Sequence, residues 1–596
     1  MQDQPGKSME TILQKFAGFA IVDVPVKQYI MITQDLPVRK GIERMADKTV
    51  ADLIVECLEN EGVKYAFGIP GEENIQLVDA LNRSKIKFIL VRHEQGAAFM
   101  ADLYGRVTGI PGVCIATLGP GALNLVLGVA DAELNTTPIV AISAQGGLNR
   151  IHKESHQVID LVSLFKPITQ FSRTVLTPQS VPELVRKAFS AAKRNKPGAS
   201  YLSLPQDVEK MSVDPTVRPI PVAPISKTMP TREDVDQAVR IIQSAQHPII
   251  LAGNGVVRIQ AEKNLVALSK LLNVPVATTF EGKGVISDRL PNALGVVGFM
   301  RHDYGNFAFD RSDLIITVGF SIQQFDPVKI NPEGNKKIIH INTYKEDTDS
   351  HYNATLNIVA NINASLSCLI EALKGKSIHF DSQPAKIKAR VNQELEVGAT
   401  DDQFPLKPQK IVYETRKALR DDDIALVDTG AVKMWMARLY PTYLPQTCII
   451  DNGLSTMGWT LPGAIGVKLA NPGQRVVAIM GDGSFLMNSQ EIETAVREHI
   501  HIVNLIWEDN SYGLIKWKMD LELDRHSEVD FKNPDFVQYA ESFGAKGYRI
   551  RHANELRPAL ETALNDTEHV HVIVCPVDYS ENMKLIAKLG DTTISF

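Results

Sequence analysis

Apolar residues along the chain alternate between short unbroken runs and longer stretches at helical spacing, the pattern of strands buried on both faces joined by amphipathic helices. Between residues 48 and 214, the runs Ile86 to Val91 and Gly112 to Thr117 read as strands, Glu94 to Gly105 as the helix between them, and Val50 to Leu58 as an opening amphipathic helix. The pattern repeats over 231–373, with strands expected at Pro248 to Ala252, Leu314 to Val318 and Lys337 to Ile341. It returns over 409–596, with strands at Ile424 to Val427, Arg475 to Met480, Ile502 to Trp507 and His571 to Cys575. Strand and helix in alternation predict an α/β protein of three consecutive doubly wound parallel-sheet domains. Five prolines between Pro215 and Pro230 predict a stiff extended connector over 215–230, and the polar stretch 374–408 a second linker. Residues 1–47 show no sustained period and are expected to form an N-terminal extension.

Composition narrows the function more than the fold. Of 596 residues, 63 are basic and 69 acidic, a formal charge of -6, without the positive excess of a nucleic-acid binder. No apolar run reaches the ~20 residues that span a bilayer. The five cysteines are scattered without metal or redox spacing, which points to reduced thiols in a cytoplasmic protein.

The candidate chemistry begins with glycine-rich turns. Ala252-Gly-Asn-Gly-Val-Val follows a strand but lacks the third glycine of a dinucleotide fingerprint, so it reads as an ordinary strand-to-helix turn. Gly481-Asp482-Gly483-Ser484 is different, because it ends an apolar strand and precedes a helix expected to begin near Ser489. Glycines let backbone amides approach an anion, yet an aspartate between them would repel a bare phosphate. A divalent cation between Asp482 and a diphosphate removes the conflict. Such a cation needs further oxygen ligands, and 26 residues after Gly483, one helix and one strand later, comes Asn510, followed by Ser511-Tyr512-Gly513.

Gly481-Asp482-Gly483 with Asn510 at this spacing resembles the signature of thiamine-diphosphate enzymes, although Asp509 stands where many members have a first asparagine. The resemblance implies thiamine diphosphate and Mg2+, the metal held by Asp482, Asn510 and the main-chain carbonyl of Tyr512. It places Gly430, Ala431, Gly481, Gly483, Ser484 and Gly513 around the cofactor. An Arg-His-Glu run alone reads as a salt-bridged patch, but Arg92-His93-Glu94-Gln95-Gly96 matches the motif of the family's catalytic glutamate. Glu94 is then the carboxyl that assists the cofactor's aminopyrimidine as a base. A methionine is ordinarily core filler. Met457, in Asn452-Gly-Leu-Ser-Thr-Met-Gly, resembles the apolar wedge that bends the cofactor in acetolactate synthases.

Two further segments resemble that branch. Gly119-Pro-Gly-Ala-Leu-Asn124 is similar to a family loop, with Leu118 where serine is common. Gln157, after Ser155-His156, matches a glutamine that would polarise substrate oxygens. The stretch Val318 to Pro327 lacks the arginine pair of the FAD-containing biosynthetic enzymes and resembles the catabolic, FAD-independent type, so FAD is not expected. Lys433 departs from the His or Gln of relatives, either assisting the diphosphate or coating the surface. The resemblance implies decarboxylation of pyruvate and ligation of the two-carbon unit to a second pyruvate, giving 2-acetolactate and carbon dioxide, in a homo-oligomer with active sites between chains. The shared motifs alone also admit another 2-keto acid decarboxylase, carboligase or oxidase, and a silent scaffolding paralogue would keep the fold without turnover.

Overall fold

The computed structural model describes residues 48–591 apart from 225, 299–302, 377, 379 and 381–383; the expected extension 1–47 lies outside the described residues. Three parallel six-stranded sheets follow one another along the chain, each flanked by helices. The first contains β1 (Tyr65–Gly68), β2 (Lys87–Leu90), β3 (Gly112–Ala116), β4 (Ile139–Gln145), β5 (Phe171–Thr174) and β6 (Ala199–Pro205), in the order β2-β1-β3-β4-β6-β5. The second contains β7 (Pro248–Ala252), β8 (Val276–Thr278), β9 (Ala293–Val296), β10 (Leu314–Val318), β11 (Lys337–Asn342) and β12 (Leu356–Val359), in the order β12-β11-β10-β7-β8-β9. The third contains β13 (Ile424–Val427), β14 (Cys448–Ile450), β15 (Val476–Gly481), β16 (Val503–Glu508), β17 (Lys546–Arg549) and β18 (His571–Pro576), in the order β14-β13-β15-β16-β18-β17. Each order doubles back from an early strand, leaving a crevice at the carboxyl ends where open α/β sheets bind ligands.

One expectation changes. The helix after Gly481 begins at Asp482, runs to Asn488 and is followed by a second, Glu491–Arg497. The strand therefore hands Asp482 directly to a helix, and the start expected near Ser489 falls between the two. Within 374–408, Pro384–Thr400 is helical, and Arg438 of the third domain pairs with its Glu394. Over 215–230 no helix or strand forms among the described residues.

The first and third sheets share a core. The helix Glu94–Thr108 lies against the helix Thr460–Ala470, and Phe99, Met100 and Leu103 belong to the same buried cluster as Trp459, Leu461 and Ala464. Glycine permits the approach: a Cβ on Gly466 would stand 2.3 Å from the Met100 carbonyl oxygen, and one on Gly463 would stand 2.9 Å from Leu103. Alanine inside a helix ordinarily gains about 1 kcal/mol over glycine. Gly466→Ala is nevertheless expected to destabilise the protein by about 1–3 kcal/mol through overpacking, seen as a lower urea midpoint by tryptophan fluorescence. A gain in stability would show that the two helices can separate freely.

Candidate active site

The carboxyl edge of the third sheet brings together most of the residues named from the sequence. Asp482 is buried at the end of β15, and its Oδ1 accepts from Gly483 N at 2.9 Å. Its Oδ2 accepts from Asn510 N at 2.7 Å and from Asp509 N at 3.2 Å, which ties the end of β15 to the end of β16. Asn510 adopts a left-handed φ of 55°, a conformation asparagine tolerates, and this turns the chain back toward Asp482. Asn533, which no sequence argument singled out, donates its amide to Asp482 Oδ2 at 2.8 Å and to Asn510 Oδ1 at 3.1 Å. It lies in an irregular loop, and its only sequence signal is a polar Asn-Pro pair.

Tyr512 sits on the same edge, its ring 5.1 Å from Phe531 and close enough to Gly483 that a Cβ there would stand 2.8 Å from it. Its carbonyl accepts from Ile515 N at 2.9 Å and Lys516 N at 3.0 Å, so a cation bound there would displace one of them. Gly513 begins the next helix where a Cβ would stand 2.6 Å from Asp509 Oδ2. Gly481, by contrast, faces open space.

The electrostatics of this edge are one-sided. Burial raises the Asp482 carboxyl above its usual range, and burial together with the Asp482 charge pushes Asp509 up to about 7. Among the described residues no basic side chain forms an ion pair with either, and neighbouring Glu508 is already paired with Arg549. A bound cation would supply the missing countercharge. No cluster of three or more His, Cys, Asp or Glu side chains suited to a metal exists among the described residues, so the amide and carbonyl oxygens would have to complete its shell.

Beside Asp482, Ser484 Oγ reaches Thr429 O at 3.4 Å, next to Gly430, which at φ 137° leads into the helix Ala431–Leu439. In that first turn Lys433 N donates to Gly430 O at 3.1 Å, while the N–H groups of Ala431 and Val432, at a helix N-terminus that favours an anion, and the buried Thr429 Oγ1 beside them have no hydrogen-bond partner among the described residues. The loop carrying Met457 is pinned on both sides: Gly458 N donates to Asp428 Oδ1 at 3.1 Å, and Asn488 Nδ2 donates to Gly458 O at 2.8 Å. Burial pushes Asp428 up to about 6 despite the backbone donors around it. Lys433 does not coat the surface. It is buried, its ammonium donating to Asn452 Oδ1 at 3.0 Å, Asp451 O at 3.3 Å and Ser455 Oγ, and burial lowers its pKa.

In the first domain, β2 ends in a turn from which Glu94 opens its helix, largely buried, with Asn124 Nδ2 donating to its Oε2 at 3.0 Å. A Cβ on Gly121 would stand 3.1 Å from Glu94 Oε1, so this glycine admits the carboxyl. Gln157 is exposed, at a left-handed φ of 60°, its backbone against Gly119. Among the described residues no hydrogen bond or ion pair joins Glu94, Asn124 or Gln157 to Asp482, Asn510 or Asn533 of the same chain. Glu491, also absent from the sequence argument, is buried beneath the turn before Glu94 and pushed up to about 7 by that burial.

Comparison with known proteins identifies the three domains. Family models for thiamine pyrophosphate enzymes match in order along the chain: the N-terminal TPP binding domain over 48–164, the central domain over 235–369 and the C-terminal TPP binding domain over 428–575. The chain belongs to the thiamine pyrophosphate enzyme family. Within it, the chain is 36% identical over 548 residues to an acetolactate synthase of Bacillus subtilis (strain 168), covering 90% of this chain and 94% of that one. It is 35% identical over 548 residues to a catabolic acetolactate synthase of Raoultella terrigena, covering 90% and 97%, and 36% identical over 542 residues to a probable acetolactate synthase large subunit of Methanococcus aeolicus, covering 87% and 90%.

Asn533 bridges the two elements that carry Asp482 and Asn510. Asn533→Ala is therefore expected to raise the thiamine diphosphate concentration needed for half-saturation about tenfold, the worth of roughly one or two hydrogen bonds. Quenching of tryptophan fluorescence on titration measures it, and an unchanged curve would leave Asn533 a loop residue only.

Proposed function

We propose that this protein is an acetolactate synthase that condenses two pyruvates, with uptake of one proton, to 2-acetolactate and carbon dioxide. The observation that carries the reading is similarity to acetolactate synthases along about nine-tenths of the chain, with Glu94, Asp482 and Asn510 in place. The donor set fits the cofactor. Asp482 and Asn510, with the Tyr512 carbonyl, would hold Mg2+, and Gly430, Ala431, Gly481, Gly483, Ser484 and Gly513 would surround the diphosphate. Bound thiamine diphosphate supplies a nucleophilic carbon and an electron sink for decarboxylation.

The chain's own groups do the rest. Glu94, steadied by Asn124, would face the pyrimidine nitrogen of the bound cofactor and assist proton transfer there, Met457 would supply the apolar wedge against it, and the Gln157 amide would donate to substrate oxygens. Glu94→Gln is expected to lower turnover on the order of a hundred to ten thousandfold while retaining cofactor binding. Pyruvate consumption near the wild-type rate would sink the assignment.

FAD has no part in this reading. The reading rests on the 318–327 segment, which lacks the arginine pair of the FAD-containing enzymes and whose Phe320 and Phe325 are buried against Tyr352 and Gly298. Added FAD should leave acetolactate formation unchanged, and a strict flavin requirement would move the protein to another branch.

The active unit is proposed to be a homodimer in which Glu94 of one chain and Asp482 of the other serve one site. No described helix is long and apolar enough to cross a membrane, and the five unpaired cysteines suit a reducing cytoplasm. Glu94→Gln and Asp482→Ala chains, each nearly inactive, should regain activity when refolded together, because one site of a mixed dimer escapes both lesions. Confirmed mixed dimers as inactive as their parents would refute the shared site.

A further inference from the structure

Two elements far apart in sequence meet at the turn between β2 and Glu94. The Glu491 carboxylate, fully buried, receives Arg92 N at 3.1 Å and His93 N at 3.0 Å on Oε1, while Oε2 receives Thr494 Oγ1 at 2.6 Å. Those two N–H groups immediately precede the helix that Glu94 opens, where the backbone has no helical acceptor for them. Space for the carboxylate is made by Gly96, where a Cβ would stand 2.8 Å from Glu491 Oε1. Around this contact, Arg497 donates to Leu90 O, Lys87 pairs with Glu498 at 2.7 Å, and Arg92 lies 3.9 Å from Glu493.

We propose that Glu491 is a positioning residue for Glu94: by fixing the Arg92 and His93 peptides, it sets the direction in which the Glu94 carboxyl leaves the helix. The outlying ion pairs already dock the helix Glu491–Arg497 on β2 without it. Glu491 instead grips the main chain of the two residues before Glu94, whose own side chain accepts a side-chain hydrogen bond from Asn124 alone among the described residues. A rotation of those peptides swings the Glu94 side chain directly, and a misplacement of about 1 Å at a reacting group can cost on the order of a hundredfold in rate. The sequence Glu94-Gln-Gly96 thereby acquires a reason for its glycine.

This inference rests on Glu94 acting on the cofactor, and the experiment separates the two claims. Full-length Glu491→Gln, Gly96→Ala and Glu94→Gln proteins, reconstituted with thiamine diphosphate and Mg2+, are compared with wild type. The readouts are exchange of the cofactor's thiazolium C2 proton with deuterium, kcat and KM for pyruvate, cofactor half-saturation, and amide exchange in the peptide spanning 90–96. Glu491→Gln should slow C2 exchange and kcat about ten- to a hundredfold, leave KM and cofactor half-saturation within about threefold, and speed amide exchange in 90–96. Gly96→Ala, which keeps the acid but pushes it away, should do the same and carries the test if Glu491→Gln fails to fold. Wild-type C2 exchange in both, with slow exchange in Glu94→Gln, would overturn the role of Glu491. So would a rate loss that merely follows lost cofactor affinity. Wild-type exchange in Glu94→Gln itself would overturn the reading of Glu94, and the positioning role with it.

Discussion

The close packing of the helix Glu94–Thr108 on the helix Thr460–Ala470 is the constraint on which the site depends. It merges the first and third sheets into one core, and it lies between the turn carrying Glu94 and the loop carrying Met457. The seam also holds buried polar groups that must satisfy one another. Thr456 donates to Asp131 at 2.5 Å, Asn135 donates to Asp131 at 3.1 Å and also to Asp451, and Arg106 lies 3.4 Å from Asp102. Burial with the neighbouring acids raises Asp131 well above its usual range. Removing one member would leave a buried partner unpaired, so the network couples the two domains in addition to the apolar contact.

Charge is distributed unevenly along the crevice. Asp482 is buried and Asp509 half-buried, and among the described residues neither forms an ion pair, whereas the buried Lys433 ammonium donates to neutral oxygens at the start of its helix, where the helix dipole disfavours a cation. Both make sense if a cation and an anionic group share the space between them, and this is the physical core of the proposed diphosphate and magnesium site.

Much of the architecture was readable from apolar runs. The strands Pro248–Ala252, Leu314–Val318 and Ile424–Val427 fall where those runs lie, because a strand buried on both faces leaves an uninterrupted apolar signature. The helix after Gly481 was placed too late, since Gly-Asp-Gly-Ser reads as a turn until Asp482 is seen opening the helix and accepting amides from two strand ends. Glu491 and Asn533 were missed for a related reason. Neither carries a local pattern, and their meaning comes from atoms 399 and 23 residues away.

The sequence by itself therefore determined the three-sheet organisation and the residue types at Glu94, Asp482, Asn510 and Met457, because periodicity and short motifs are local properties of a chain. Tertiary structure alone decided that Lys433 is buried, that Gly96 makes room for Glu491, and that Asn533 joins Asp482 to Asn510. Burial, hydrogen-bond partners and the space beside a glycine are set by whatever the fold brings within a few ångströms, and no spacing along the chain encodes that.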